Sequence, residues 1–312
     1  AWQEAWWRQW GTTQGFELIK HGGEGSSGLY VDHYRYKHIL SVKCLQFVGT
    51  NYRRISTPRT EYNTLAGASG SDPLGVLRAC DWTEAVFRDV LENSELTDQL
   101  RALAYTSGWH WRVVARDRAY SIDTSSVFEQ YLQELGKNTR ARLFNRRKIL
   151  ADCGEVGFVQ AWPDQFDWFF GLLNDFHVNR WGQRCFNDKS LAFHREFLTR
   201  VLNEGGKPDL SVMTIDGEAV SVLYNVSVGG ITYNLQSGYI ADFHPKLALG
   251  TLHLGYSIER AFECPDITLF DLLAGSGKNE NYKSRLATNH EDLISFMLVR
   301  DRLFQWLYRL KP

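Results

Sequence analysis

Residues 210–239 read LSVMTIDGEAVSVLYNVSVGGITYNLQSGY. Three runs rich in Val, Ile, Leu, Tyr and Thr, at 210–215, 219–228 and 231–239, are separated by Asp216-Gly217 and Gly229-Gly230. Both dipeptides accept the positive φ that a two-residue hairpin turn demands. The stretch therefore predicts an antiparallel meander of three strands. Downstream, the pattern predicts a glycine-containing loop at 246–250, an amphipathic helix at 251–262, a strand at 267–273, a short helix around 282–286, a strand at 293–299 and a terminal helix. Upstream lie a strand at 156–162 and helices at 164–180 and 188–203.

Farther toward the N-terminus a long helix starts at Ser125-Ser126, carries Phe128, Tyr131, Leu132 and Leu135 on one face, and runs into a basic stretch at 137–148. We place a domain boundary near Asp123, dividing the chain into 1–122 and 123–312. Residues 1–122 open with Trp2, Ala5, Trp6 and Trp10 at helical spacing. Strands follow at 16–19, 28–33 and 39–48. Residues 50–72, rich in Thr, Ser, Gly and Arg, read as a long surface loop. Asp81 and Glu84 form an acidic capping box before a helix at 85–91, a second helix fits 97–106, and 109–116 alternates like a strand.

The 312 residues suffice for one large or two medium domains. With 35 basic and 36 acidic side chains the net charge is -1, so a general DNA-binding role is excluded and any affinity for nucleic acid has to come from a local patch. No apolar run approaches the length of about 18 residues that spans a bilayer. Cys44, Cys80, Cys153, Cys185 and Cys264 are scattered and odd in number, which reads as buried thiols in a reducing compartment. The aromatic start, carrying Glu4 and Arg8, is unlike a signal peptide, and a cytoplasmic location is expected. There is no Gly-x-Ser-x-Gly, P-loop or His-Glu-x-x-His, and His194, His244, His253 and His290 lack metal-ligand spacing. No metal is expected.

The order from residue 156 (strand, two helices, three antiparallel strands, glycine loop, helix, strand, helix, strand) is that of the GNAT acyl-CoA N-acyltransferase superfamily. KNTRARLFNRRK (137–148), HVNRW (177–181), Phe193-His194, GYIADFHPKLALGTL (238–252) and FDLLAGSGKNENYK (270–283) resemble its CelD-like branch, acetyltransferases of cellulose and exopolysaccharide biosynthesis. This group is similar to Fem-type transferases in pairing two GNAT-like halves. The resemblance implies an α+β fold of two tandem GNAT-like halves with mixed, mainly antiparallel sheets flanked by helices, the first half degenerate. It also implies an acyl-CoA co-substrate, most simply acetyl-CoA. Two departures stand out: Lys-Leu-Ala-Leu-Gly replaces a Ser-Pro-Gly-like turn before Gly250, and residues 276–279 lengthen the segment after Leu273.

A coenzyme A pyrophosphate is bound on backbone amides at a helix start. Lys246, Leu249, Gly250, Thr251 and Leu252 occupy that place. Acyl transfer from a thioester needs a deprotonated acceptor, a donor for the developing oxyanion and a route for the proton. In this fold the reactants meet where two central strands splay, which puts Tyr233, Gln236 and Tyr239 near the chemistry. Asp242 and Asp271 are candidate bases, Asp271 reading alternatively as a structural partner. By the resemblance His177 and Arg180, three apart on one helix, face the acceptor, His177 reading alternatively as a core or capping histidine, and Tyr282 with Lys283 matches a family pair in which Lys283 binds an anion or stabilises charge. Arg140, Arg147 and Lys148 read either as a solvated face or as contacts to phosphates. The expected acceptor is an amine or hydroxyl of a sugar, a polysaccharide precursor or a related metabolite. The alternatives are a Fem-type transferase using aminoacyl-tRNA and a non-catalytic scaffold or polysaccharide-binding module. Nothing in the sequence fixes the oligomeric state.

Overall fold

A computed structural model describes residues 1–20, 28–65, 74–275 and 280–310. In chain order it contains α1 (Trp2–Trp10), β1 (Phe16–Lys20), β2 (Leu29–Tyr36), β3 (Leu40–Phe47), α2 (Gly75–Ala79), β4 (Glu84–Leu91), α3 (Glu95–Thr106) and β5 (His110–Asp123). Next come α4 (Phe128–Glu134), α5 (Lys137–Arg140), a π-helical turn (Ala141–Asn145), α6 (Arg147–Ala151), β6 (Val156–Gln160), α7 (Phe166–Trp181) and α8 (Asp188–Asn203). The chain closes with β7 (Lys207–Ile215), β8 (Glu218–Val228), β9 (Ile231–Tyr239), α9 (Leu249–Glu263), β10 (Leu269–Ala274), α10 (Glu280–Leu286), β11 (Asn289–Val299) and α11 (Arg302–Leu310). The chain divides into two compact units, Ala1–Arg118 with Glu291–Pro312, and Ala119–His290. The residues after His290 thus group with the first unit, whereas the sequence reading ran the second domain to residue 312.

In the first unit the strand order is β1-β2-β3-β4-β11, antiparallel except for the parallel pair β3/β4. Side chains alternate along each strand, so the unit is built in layers. Leu45, Phe47, Ala85, Phe87, Ile294 and Phe296 pack on one face with Leu100 and Leu103 of α3. Val42, Cys44, Val86, Met297 and Val299 pack on the other with Phe304 of α11. Helix α1 buries tryptophans of its own. Trp6 of α1 is fully buried and stacks on Phe16, with centroids 6.1 Å apart, and on Trp10.

The expected helix at 85–91 is strand β4. Both of its faces are covered and it lies between β3 and β11, so its apolar residues do not alternate cleanly with polar ones and short-range periodicity misleads. The acids read as a capping box have other work. Asp81 pairs with Lys43, and the fully buried Glu84 accepts hydrogen bonds from Tyr34 (3.0 Å) and Tyr308 (2.6 Å).

In the second unit the order is β5-β10-β9-β8-β7-β6, β5 entering with its residues from Ala119 on, again antiparallel with one parallel pair, β9/β10. The meander β7-β8-β9 forms as expected. Asp216 and Gly217 have φ of 50° and 84°, Gly229 and Gly230 of 59° and 81°, the all-positive signature of tight hairpin turns. Helices α7 and α8 cover one face, where Phe169, Phe170 and Phe193 are fully buried, and α9 covers the other with Leu252, Leu254 and Ile258. The single long helix expected from Ser125 is instead broken at Gly136 and again at the π-helical turn. There the Leu143 carbonyl sits against α9 at Gly255, where a Cβ would lie 2.2 Å from that oxygen. This close approach is available only to glycine.

Candidate active site

The two parallel strands β9 and β10 pair only at their starts: Leu269 with Ile231, Phe270 with Thr232 and Asp271 with Tyr233. β9 continues six residues farther, to Tyr239. Bulges on both strands explain the divergence, because an extra residue bends and over-twists a strand. Against β8 the register jumps from Asn225–Asn234 to Tyr224–Gln236, leaving Leu235 extra. Against β5 it shifts between Asp271 and Ala274. Residues 233–237 of β9, an interior strand, are accordingly only half-buried, which marks an opening between the strands.

The β10 bulge holds Leu273 at φ 60°, a conformation unfavourable for a side chain of this kind. Two predicted residues brace it. The buried Asp271 carboxylate accepts the Leu273 N–H at 2.6 Å, and the buried Lys283 ammonium donates to the carbonyls of Leu273 (3.1 Å) and Ala274 (2.7 Å). Asp271 also acts on Tyr233, whose hydroxyl is pushed above its ordinary pKa by burial and then by that carboxylate.

At the far end of β9 the chain turns into α9. Its N-cap, Ala248, supplies no side-chain hydrogen bond, and the first helical bond beyond the cap joins Leu252 N–H to Ala248 O (2.9 Å). The amides of Leu249, Gly250 and Thr251 thus form the positive end of the helix dipole. The side chains of Leu249 and Leu252 are core residues that anchor this end, while Lys246 and Asp242 are exposed in the preceding loop. The Tyr239 ring abuts Gly250, where a Cβ would stand 2.5 Å from ring atoms Cδ1 and Cε1.

α7 crosses β9 at Gly238, close enough that a Cβ there would be 2.9 Å from Leu173 Cδ1, and so its last turn falls beside Tyr239. Arg180 Nη1 donates to the Tyr239 hydroxyl at 2.5 Å, and its guanidinium stacks 5.1 Å from the Tyr239 ring and 5.0 Å from Trp181. Tyr239 in turn adds to the burial that raises the Tyr282 pKa. Arg180, Tyr239, Tyr282 and Gly250 are therefore one group, and Asp271, Lys283 and Tyr233 another. His177 is occupied elsewhere, its Nδ1 donating to Gln183 O (2.8 Å). Gln236 donates to Cys185 Sγ (3.3 Å) and accepts the Ser237 N–H (3.1 Å). In the basic stretch Arg147 lies over Tyr256 (3.7 Å) and Phe144 (4.4 Å) and pairs with Glu259, and Arg140 donates to Leu132 O, while Lys148 is exposed. The inserted residues 276–279 lie outside the described residues.

Sequence reading missed a buried polar chain beneath β9. His253 is fully buried, with Nε2 3.0 Å from Ser211 Oγ and Nδ1 3.0 Å from Ser221 Oγ. Ser221 donates onward to Gly238 O (3.2 Å), which fixes the direction: Nδ1–H donates to Ser221, and Ser211 donates to Nε2. Burial pushes the His253 pKa down to about 3, and likewise that of His194, whose Nδ1 meets the Tyr224 hydroxyl. The signal was polar residues recurring inside apolar strands at 211 and 221. Among the described residues no group of three or more His, Cys, Asp or Glu is arranged to hold a metal ion.

Comparison with known proteins bears on the fold. Residues 137–284 match the family described as acetyltransferase (GNAT) domain. Among solved structures, FemX superposes with a TM-score of 0.61 at 11% identity, covering 98% of this chain and 93% of FemX. L-PGS from Bacillus licheniformis gives 0.53 at 11% identity over 99% and 93%. A conserved protein of unknown function from Bacteroides thetaiotaomicron gives 0.56 at 10% over 91% and 84%. At these identities the likeness is one of fold. Among curated proteins none matches this sequence. The fold is GNAT-like, with mixed sheets flanked by helices, and residues 137–284 are similar to the GNAT acetyltransferase domain.

Proposed function

We propose that the protein transfers an acyl group, most simply acetyl, from acyl-coenzyme A to an amine or hydroxyl of a sugar, a polysaccharide precursor or a related small metabolite, as the CelD-like branch does. The observation that carries this reading is the opening of β9 from β10 beyond Tyr233 and Asp271, with β9 leading into the uncapped N-terminus of α9. In this reading the amides of Leu249, Gly250 and Thr251, with Lys246, take the pyrophosphate. The thioester lies along the unpaired part of β9. The acceptor lone pair attacks its carbonyl, a C–N or C–O bond forms, the C–S bond breaks, and the acceptor proton leaves to a base. Asp242 is the carboxylate we assign to that proton, because one Asp271 oxygen already holds the Leu273 amide. Tyr282, a phenol protonated at neutral pH whose pKa burial raises further, is the donor we assign to the departing thiolate.

The first unit repeats the strand pattern, β3 lying antiparallel to β2 and parallel to β4. It has no counterpart of α9 among the described residues between these strands, where α2 has only five residues. Residues after β3 instead bind back to the strands: Tyr52 N–H to Gln46 Oε1, Asn63 N–H to Asp89 O, and Arg59 to Asp89. We assign the donor site to the second unit alone.

Thiol release from acetyl-CoA in the presence of amino sugars and neutral sugars tests the proposal. The expected result is acceptor-dependent release that falls at least ten-fold in Tyr282→Phe. The whole-chain likeness to FemX favours aminoacyl-tRNA as the rival donor, although Arg147 and Arg140 spend their charge inside the protein. No release with any acyl-CoA, together with consumption of aminoacyl-tRNA, establishes that rival instead.

A further inference from the structure

Helix α11 turns Phe304 and Tyr308 toward the first unit and leaves a second apolar strip outside. Leu303, Trp306 and Leu310 are 50%, 58% and 61% exposed. Their spacing of three and four places them on one side of the helix. The helix is held firmly in this orientation. The Asp301 carboxylate accepts the N–H groups of Leu303 (2.9 Å) and Phe304 (3.1 Å), and Gln305 Nε2 donates to Val299 O and Gly108 O, both at 3.1 Å.

Along one edge of the strip run Arg302 and Arg309, both exposed and two turns apart, and the helix RLFQWLYRL contains no acid. Arg112 stands beside it, its guanidinium 5.2 Å from the Tyr308 ring. His110 senses the local positive charge: burial first, then Arg309 and Arg112, push its pKa down. An exposed tryptophan and two leucines bordered by arginines complement a surface that is apolar beneath and negative at its rim. At nine residues the helix falls far below the roughly 20 needed to cross a bilayer, so only an orientation along a membrane surface is open to it.

We propose that α11 is an interfacial anchor, seating Leu303, Trp306 and Leu310 among the acyl chains of a bilayer while Arg302 and Arg309 meet anionic phospholipid headgroups. The inference is independent of the acyl-transfer reading.

Co-sedimentation of the full chain with phosphatidylcholine vesicles and with equal mixtures of phosphatidylcholine and phosphatidylglycerol tests it. The protein is expected to pellet with the anionic vesicles at low salt and to be released at high salt. Trp306→Gln lowers partitioning about ten-fold, and Arg302→Gln with Arg309→Gln lowers it roughly 30-fold. Thermal midpoints unchanged by these exposed substitutions show that the fold is intact. Failure of the wild-type chain to bind, or equal binding to neutral vesicles that ignores the arginine pair, overturns the proposal. So does self-association that Trp306→Gln abolishes without vesicle binding, since a second copy then covers the strip.

Discussion

Gly250 illustrates how one residue carries two demands. From sequence it reads as the glycine that lets a phosphate approach a helix N-terminus, and in the fold the Tyr239 ring also occupies the place a Cβ would take. Gly250→Ala is therefore expected to displace Tyr239, to break its hydrogen bond from Arg180, and to cost roughly 1–3 kcal/mol in chemical unfolding. In a Tyr239→Ala background the same change is expected to be neutral or stabilising, because alanine is the better helix former. Equal costs in both backgrounds would show that the ring is not the obstacle. His253 gives a pH-dependent prediction. Its folded pKa of about 3 lies below the ordinary 6.5, so between these values the unfolded chain binds more protons. Its contribution to stability is complete above about pH 6.5 and is lost as pH falls toward 3. Urea unfolding across that window should show a slope shallower by up to about 1.4 kcal/mol per pH unit in His253→Gln. The same slope as wild type would refute the assignment.

Elements differ in how openly the sequence declares them. The meander is legible because Asp216-Gly217 and Gly229-Gly230 encode its turns locally. β4 is not, since what makes it a strand is its place between β3 and β11, information held some 200 residues away at 293–299. The π-helical turn likewise depends on Gly255, far along the chain. Within the candidate site, the placement of Tyr239 and Asp271 on strands and of Gly250 at a helix start was legible from the pattern. The bulges that open β9 from β10 and the brace on Leu273 were not, because register shifts leave no residue signature. Asp271→Asn separates the two readings of that residue. It keeps an oxygen for the Leu273 N–H and removes the charge, so a brace retains activity within a few-fold while a general base loses it 10²–10⁴-fold. At the helix over the opposite face, the Asn187 side chain caps α8 by accepting the Ser190 N–H at 2.9 Å. Asn187→Ala should cost about 1 kcal/mol in thermal or urea unfolding.

For the whole molecule, the informative feature is that the first unit is closed by the last strand and helix of the chain. β11 supplies Phe296, which packs on Phe87 (5.7 Å) and stacks on Trp111 (4.1 Å), and α11 supplies Phe304 to the opposite face. A fragment ending at residue 122, where the sequence places a boundary, lacks both and is expected to show no cooperative thermal transition. In the second unit, divergent strands and a helix terminus without a side-chain cap form the site we propose for acyl-CoA. Thermal unfolding of the full chain with acetyl-CoA and with free coenzyme A measures this most directly, since a ligand at about 100 times its Kd adds roughly 2.7 kcal/mol to native stability. The account predicts a concentration-dependent rise in the midpoint with both ligands, reduced in Lys246→Glu, whose exposed side chain leaves the fold unaffected. No shift with either ligand, or an undiminished shift in Lys246→Glu, would contradict it.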